Sequence, residues 1–238
     1  KLRTLSLAAK LILLLLSGVL SACAAAPLIA AKDIDSIVLS EVIPLGFEAD
    51  KALLFSGSDL IYALSVKDQE VTIFRSGNRQ NVLGGLGSGS ANFQYLSDIA
   101  LDRDGNLLVL DSSARLIRKF TSEGTPAGSL ELKGSQQPSL LALAAEQTLF
   151  VYDAAPAEII AYSALDGTEQ FRFGRFQLKQ LSSLSCNRDF LVAYSAVDKS
   201  SRIFSTLGQF SKNSPGISLF DDYNNELSYS GSVLKGKS

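Results

Sequence analysis

The sequence predicts an all-β chain built as a β-propeller of four-stranded blades, and three observations predict it. Four short apolar segments recur: "LIYAL" (60–64), "LLVLD" (107–111), "LFVYD" (149–153) and "FLVAY" (190–194). Each is followed by a second strand-like piece, "VTIF" (71–74), "LIRKF" (116–120), "EIIAY" (158–162) or "SRIFS" (201–205), and then by a glycine turn at Gly77, Gly124, Gly167 or Gly208. The aromatics closing the second pieces, Phe74, Phe120, Tyr162 and Phe204, lie 46, 42 and 42 residues apart. Strands in repeats of about 40–45 residues have the period of propeller blades.

The elements follow from the same physics. A four-stranded sheet cannot bury both faces alone, so blades stack around an axis and their strands read as nearly continuous apolar runs. The four extra residues between Phe74 and Phe120 fall beside "GGLGSGSANF" (84–93), where a loop insertion is expected. "SLLALAAE" (139–146) occupies the slot of "SDIALDRD" (97–104) and therefore reads as an inner strand rather than a helix. The repeats span about residues 48–213, and "GISLFDDYNNELSYSGSVLKG" (216–236) begins a further one. "DSIVLSEVIPL" (35–45) could supply an outer strand, because propellers close by pairing strands from both ends of the chain. Five or six blades are expected, not all of them complete in this chain.

The N-terminal segment has a different character. Lys1, Arg3 and Lys10 are the charged residues before Cys23, and the twelve residues "LILLLLSGVLSA" between Lys10 and Cys23 carry no charge. That stretch is too short for a membrane span, which needs about 20 apolar residues, and has the layout of a secretory signal. Leu20-Ser21-Ala22-Cys23 resembles the lipobox of bacterial lipoproteins. The resemblance implies cleavage before Cys23 and acylation of that cysteine. Several acyl chains hold a protein firmly where one binds only marginally. It implies, with Ala24 rather than Asp after the cysteine, the outer membrane of the cell envelope, on its periplasmic or surface face. The expected organisation is a signal peptide over 1–22, a lipidated N-terminus and linker over 23–34, and a propeller over 35–238. The chain opens at Lys1 and contains no Met, the pattern of an incomplete reading frame.

The best-defined repeat, residues 93–132, resembles the NHL-repeat family of propellers. Matching positions are Phe93, Ile99-Ala100-Leu101-Asp102, Asp104-Gly105-Asn106, Val109, Asp111, Ile117, Phe120 and Gly124. The resemblance is fair over 138–173 and weak at 51–87 and 181–210, and Ser195 stands where the pattern has aspartate. It implies that Asp111 and Asp153 bond local backbone at a turn, work that an acceptor-only carboxylate does well.

Composition excludes several kinds of chemistry. The chain has no histidine, the commonest general base near neutrality and the commonest transition-metal ligand. Ser-His-Asp and Cys-His nucleophile systems are therefore excluded within one chain. Removing residues 1–22, which hold three basic and no acidic residues, leaves 19 basic against 24 acidic, a net charge of −5. Such a domain has no electrostatic claim on nucleic acid. With Cys23 lipidated, Cys186 has no partner and reads as a small buried strand residue.

"DRDGN" (102–106) lacks the spacing of a calcium loop and reads as a hairpin turn. "GGLGSGS" (84–90) lacks the Gly-Lys-Ser/Thr of a phosphate loop. "FRFGRFQ" (171–177) reads as an outer strand with Phe171, Phe173 and Phe176 packed between blades and its arginines in water. No catalytic residue, metal ligand or cofactor is implied. The expected function is a lipid-anchored extracytoplasmic binding or scaffold propeller for a protein, peptide or glycan. Recognition residues concentrate on loops, so the candidates are Gly85, Ser88 and Asn92 in the long insertion and Ser112 and Arg115 in the loop after "LLVLD". The alternative is an enzyme of hydrolase or lactonase type with carboxylates, and Ca²⁺, converging on the axis. Three or more acidic or amide side chains in an axial pocket would favour it; Ser, Ala and aliphatic lining would favour the binder.

Overall fold

The computed structural model describes residues 44–55, 58–85, 87, 89, 91–144, 147–220, 224, 226–229 and 234–237, and none of them is helical. Blade 1 comprises β1 (Lys51–Leu54), β2 (Leu60–Ser65), β3 (Glu70–Arg75) and β4 (Asn78–Gly84). Blade 2 comprises β5 (Leu96–Leu101), β6 (Leu107–Asp111), β7 (Leu116–Phe120) and β8 (Pro126–Glu131). Blade 3 comprises β9 (Pro138–Leu143), β10 (Thr148–Asp153), β11 (Glu158–Ser163) and β12 (Glu169–Phe173). Blade 4 comprises β13 (Ser183–Cys186), β14 (Phe190–Ser195), β15 (Ser200–Ser205) and β16 (Phe210–Pro215). Each is a four-stranded antiparallel meander in chain order.

The expected count of five or six blades is corrected here. Four four-stranded blades form, and the next sheet, β17 (Ile217–Phe220), β18 (Glu226–Tyr229) and β19 (Leu234–Lys237), has three strands. Its strands are four residues each, and "ELSY" and "LKGK" carry no apolar run comparable to "LLVLD". The outer strand expected from 35–45 falls almost wholly outside the described residues, as does Cys23.

The aromatic ruler holds at the level of single hydrogen-bonded positions. Phe74 pairs with Ile61, Phe120 with Leu107, Tyr162 with Leu149 and Phe204 with Leu191. In all four blades the pairing of the third and fourth strands slips immediately before that aromatic. A bulge strengthens twist and re-aims a side chain. Here it turns Phe120, Tyr162 and Phe204 into the space between blades, and Phe74 is buried as well. The core accordingly lies in three layers, around Phe93 and Phe120 (blades 1 and 2), around Leu141 and Tyr162 (blades 2 and 3), and around Phe150 and Phe204 (blades 3 and 4).

Polar side chains strap neighbouring blades. Tyr62 Oη donates to the carbonyls of Gly105 and Ser122, both at 3.1 Å. Gly105, at φ +80°, lies so close to the Phe55 ring that a Cβ there would come within 2.8 Å of it. The turn "DRDGN" is thus fixed by packing, and Asp102 spends both oxygens on Asp104 N–H, Asn106 N–H and the Asn106 amide. Gln69 clamps blade 1 to blade 2, accepting from Leu96 N–H at 2.6 Å and donating to Leu96 C=O at 3.3 Å. Lys119 Nζ donates to Ala164 C=O at 2.6 Å, from blade 2 to blade 3.

Candidate binding groove

Two places among the described residues bear on the expected ligand readings, the axis and the loop face, beside a further cavity of about 230 Å³ bordered by Asp102, Asp104, Lys119 and Gln147. The axial cavity of about 230 Å³ is bordered by the innermost strands β1, β5, β9 and β13. Its lining is aliphatic, from Leu53, Ile99, Leu141 and Leu184, with Lys51, Ser185 and Cys186 as its polar members. Cys186 is half-buried, and burial pushes its thiol up to about 12, so it stays protonated at neutral pH. Among the described residues no three of His, Cys, Asp and Glu are grouped to hold a metal ion.

Beside the axis lies a pair that the sequence reading overlooked. Lys51 and Asp98 occupy matching positions on their strands, opposite Leu64 and Leu110, each one residue before the end of the second strand. The same slot holds Leu140 in β9 and Ser183 in β13. Lys51 Nζ reaches Asp98 at 2.7 Å, and the carboxylate also accepts from Leu141 N–H at 2.7 Å and Ile99 N–H at 2.8 Å. Burial raises the Asp98 carboxyl above its ordinary value, and the Lys51 ammonium opposes that shift. This side chain ties together the inner strands of blades 1, 2 and 3. Laying the repeats in register would have exposed it, as an acid in a slot otherwise holding Leu, Ser or Lys.

The second place is a groove of about 650 Å³ between blades 2 and 3, lined by Tyr95, Ser97, Ser112, Ser113, Arg115 and residues 136–139. Its frame is built on the two repeated aspartates. Asp111, fully buried, accepts from Gln94 N–H at 2.9 Å, Tyr95 N–H at 3.0 Å and Ala114 N–H at 3.2 Å. Asp153, also fully buried, accepts from Gln136 N–H and Gln137 N–H at 2.7 Å each and from Ser135 Oγ at 3.1 Å. Both anchor the backbone that carries the groove's side chains; the resemblance implied bonds to the local turn, which Asp111 makes to Ala114 N–H, whereas Asp153 holds the loop before β9 instead. In blades 1 and 4 a serine takes the aspartate's place. Ser65 and Ser195 reach the amides of Asp68 and Asp198, within their own turns.

Of the residues singled out from sequence, Ser112 and Arg115 line this groove. Ser112 Oγ is committed to Ser97 Oγ at 2.6 Å, whereas the exposed Arg115 guanidinium has no protein partner among the described residues. Arg115 sits at φ 52° because its position ends a turn shared by all blades, with Gln69, Ala157 and Lys199 at 59°, 52° and 49°. Its carbonyl accepts from Leu132 N–H, which fixes the loop. Gly85 and Asn92 do not join the groove. The Asn92 amide donates to the carbonyls of Gly84 and Gly85, and Phe93 N–H returns to Gly85, so this insertion is closed on itself. Ser88 lies outside the described residues. The sequence reading missed Tyr95, Gln136 and Gln137, because nothing local marks them; they matter through the neighbouring blade.

"FRFGRFQ" departs from expectation at two positions. Phe173 packs on Phe150 and Phe204 at ring distances of 6.0 and 5.3 Å, but Phe176 is 93% exposed, on a turn after the strand ends. Arg172 is not free in water: it pairs with Glu169 at 2.6 Å and Glu158 at 2.8 Å.

Four antiparallel meanders stacked on aromatic layers around an aliphatic axis decide the architecture. The fold is a β-propeller. The solved structure of U3-55K is similar to this chain, with a TM-score of 0.54 at 15% identity, over 70% of this chain and 51% of that one. The chain thus spans about half the length of that neighbour, and at such identity the likeness speaks for the fold alone. No family model and no curated protein matches the sequence.

Proposed function

We propose that this chain is a lipid-anchored binding propeller of the bacterial envelope, NHL-like in its repeats, which holds its ligand in the groove between blades 2 and 3. The observation that carries the reading is the contrast between the two candidate places. Carboxylate chemistry at the axis needs several acids facing one cavity. Aliphatic side chains line the axis instead, and Asp98 is spent on strand contacts. The groove holds exposed side chains on a backbone fixed from below, the arrangement expected of recognition loops on a rigid scaffold. The anchor rests on Leu20-Ser21-Ala22-Cys23, and an acylated Cys23 would hold the groove at a membrane surface, the outer membrane by the identity of Ala24.

One experiment addresses both halves. A photo-crosslinking side chain at Ser113, in cells fed a fatty-acid analogue, should capture an envelope component, with the analogue incorporated in the same protein. Cys23→Ser should abolish labelling and release the chain from membranes or leave its leader attached. Labelling that persists in Cys23→Ser would end the lipoprotein reading. A crosslinker at Ser113 that captures nothing would end the groove reading.

A further inference from the structure

We infer that the groove between blades 2 and 3 takes a glycan bearing carboxylate groups, such as a run of uronic acids. This inference rests on the groove being the binding site, and its reasons are separate from that reading.

The first reason is charge. Arg115 is the ionisable side chain of the groove whose charge stands uncompensated; no Asp or Glu is among the residues lining the open space, and Asp111 lies beneath with its oxygens occupied. An unpaired guanidinium in a mildly acidic protein selects an anion, and its planar fork matches a carboxylate in two parallel hydrogen bonds.

The second reason is the kind of neutral group present. Tyr95 is 48% exposed and offers a flat ring to the groove. The exposed side chains of Gln136, Gln137 and Ser113 have no protein partners among the described residues. Amides and hydroxyls both donate and accept, as sugar hydroxyls do, and an aromatic face covers the apolar side of a pyranose ring.

The third reason weighs against a peptide. Extended peptides are commonly held by main-chain hydrogen bonds to an open sheet edge. Here the amides of residues 94, 95, 136 and 137 are already taken by Asp111 and Asp153. Recognition falls to side chains, the mode suited to a sugar chain.

Calorimetric titration of the full chain in detergent, with tetragalacturonate, neutral galactotetraose and tetraglutamate as probes, tests the inference. Tetragalacturonate should bind at least ten times more tightly than galactotetraose. Arg115→Ala should remove that preference while leaving the neutral sugar's affinity within about twofold. Tyr95→Ala should weaken both sugars. Arg115→Ala retains the turn, since Ala157 occupies the same position at the same φ in blade 3, and unchanged thermal unfolding would check this. Equal affinity for the two sugars, an Arg115→Ala variant with the acidic preference intact, or no sugar binding at all overturns the inference. Tetraglutamate binding more tightly than tetragalacturonate, and lost in Arg115→Ala, would also overturn it while the groove remained a binding site. That outcome differs from failure of Ser113 crosslinking, which removes the groove itself.

Discussion

Substituting Asp98 separates two ways in which a buried carboxylate can join blades, through its charge or through its oxygens. The side chain is 4% exposed and accepts from Lys51 Nζ, Leu141 N–H and Ile99 N–H. Burial is the larger influence and raises its pKa, with Lys51 pulling the other way. The charge is therefore held at a cost, and the acceptors are what the fold uses. Asp98→Ala leaves the Leu141 and Ile99 amides without their carboxylate acceptor, at about 1–3 kcal/mol for each group left unsatisfied. With the gap beside them, the expected loss is about 3–5 kcal/mol. Asp98→Asn keeps an acceptor for Leu141 but sets its NH2 against Ile99 N–H, while Lys51, whose side chain is 27% exposed, can turn to water. That change should cost about 1–2 kcal/mol, for the one amide left unsatisfied.

Urea unfolding of the full chain, followed by far-UV circular dichroism, reads the difference. At a slope of about 2 kcal/mol per molar urea, Asp98→Ala should lower the midpoint by about 1.5–2.5 M and Asp98→Asn by no more than about 1 M. The pH dependence has a definite sign. A carboxyl whose pKa is raised on folding contributes stability fully below its unfolded pKa of about 4, and that contribution is lost as pH rises through the folded value. Wild type should show this slope and Asp98→Asn should not. If Asn proves as damaging as Ala, the ion pair with Lys51 holds the junction and the reasoning is refuted.

Two further outcomes concern the core. Phe120 is fully buried and meets Phe93 edge-on at 6.1 Å, so Phe120→Ala should cost about 3–5 kcal/mol in the same assay; a loss below about 1 kcal/mol would deny the aromatic ruler its packing role. Burial, aided by Glu169, pushes the Tyr162 phenol up to about 12, while its Oη donates to Lys133 C=O at 2.9 Å. Its contribution is complete below pH 10 and is lost between about 10 and 12, so Tyr162→Phe should flatten alkaline unfolding over that window; an unchanged profile would count against it.

The repeat was legible because its cause is local. A bulge, a buried aromatic and a glycine turn fall within a few residues of one another, and Phe74, Phe120, Tyr162 and Phe204 mark them without knowledge of the neighbouring blade. Asp111 and Asp153 were legible as repeated residues, although most of their hydrogen bonds reach loops 16 to 18 residues earlier. Asp98 was not, because its meaning lies in Lys51, 47 residues earlier, and in Leu141, 43 residues later. Half of the groove was foreseen, through Arg115. Tyr95, Gln136 and Gln137 acquire significance when two blades are placed side by side. The insertion at 84–93 misled by its length; Asn92 spends its amide closing the loop. Phe176 misled by company, since Phe171 and Phe173 alternate on a strand that stops before reaching it.

The placing of the groove follows from a difference of reach. At the end of the second strand, a carboxylate can accept from its own turn and from the loop that precedes the innermost strand. Asp111 does both, holding Ala114 on one side and Gln94 and Tyr95 on the other. A serine hydroxyl is shorter, and Ser65 and Ser195 hold amides of their own turns. Consecutive aspartates therefore fix two successive loops, and the space between those loops is where side chains can be displayed without spending binding energy on ordering the backbone. Blades 2 and 3 are the consecutive pair that carries them, and the groove lies between these two blades. The same residues that make the repeats alike thus make one junction different, and the exposed Arg115, Tyr95, Gln136 and Gln137 are what that junction presents.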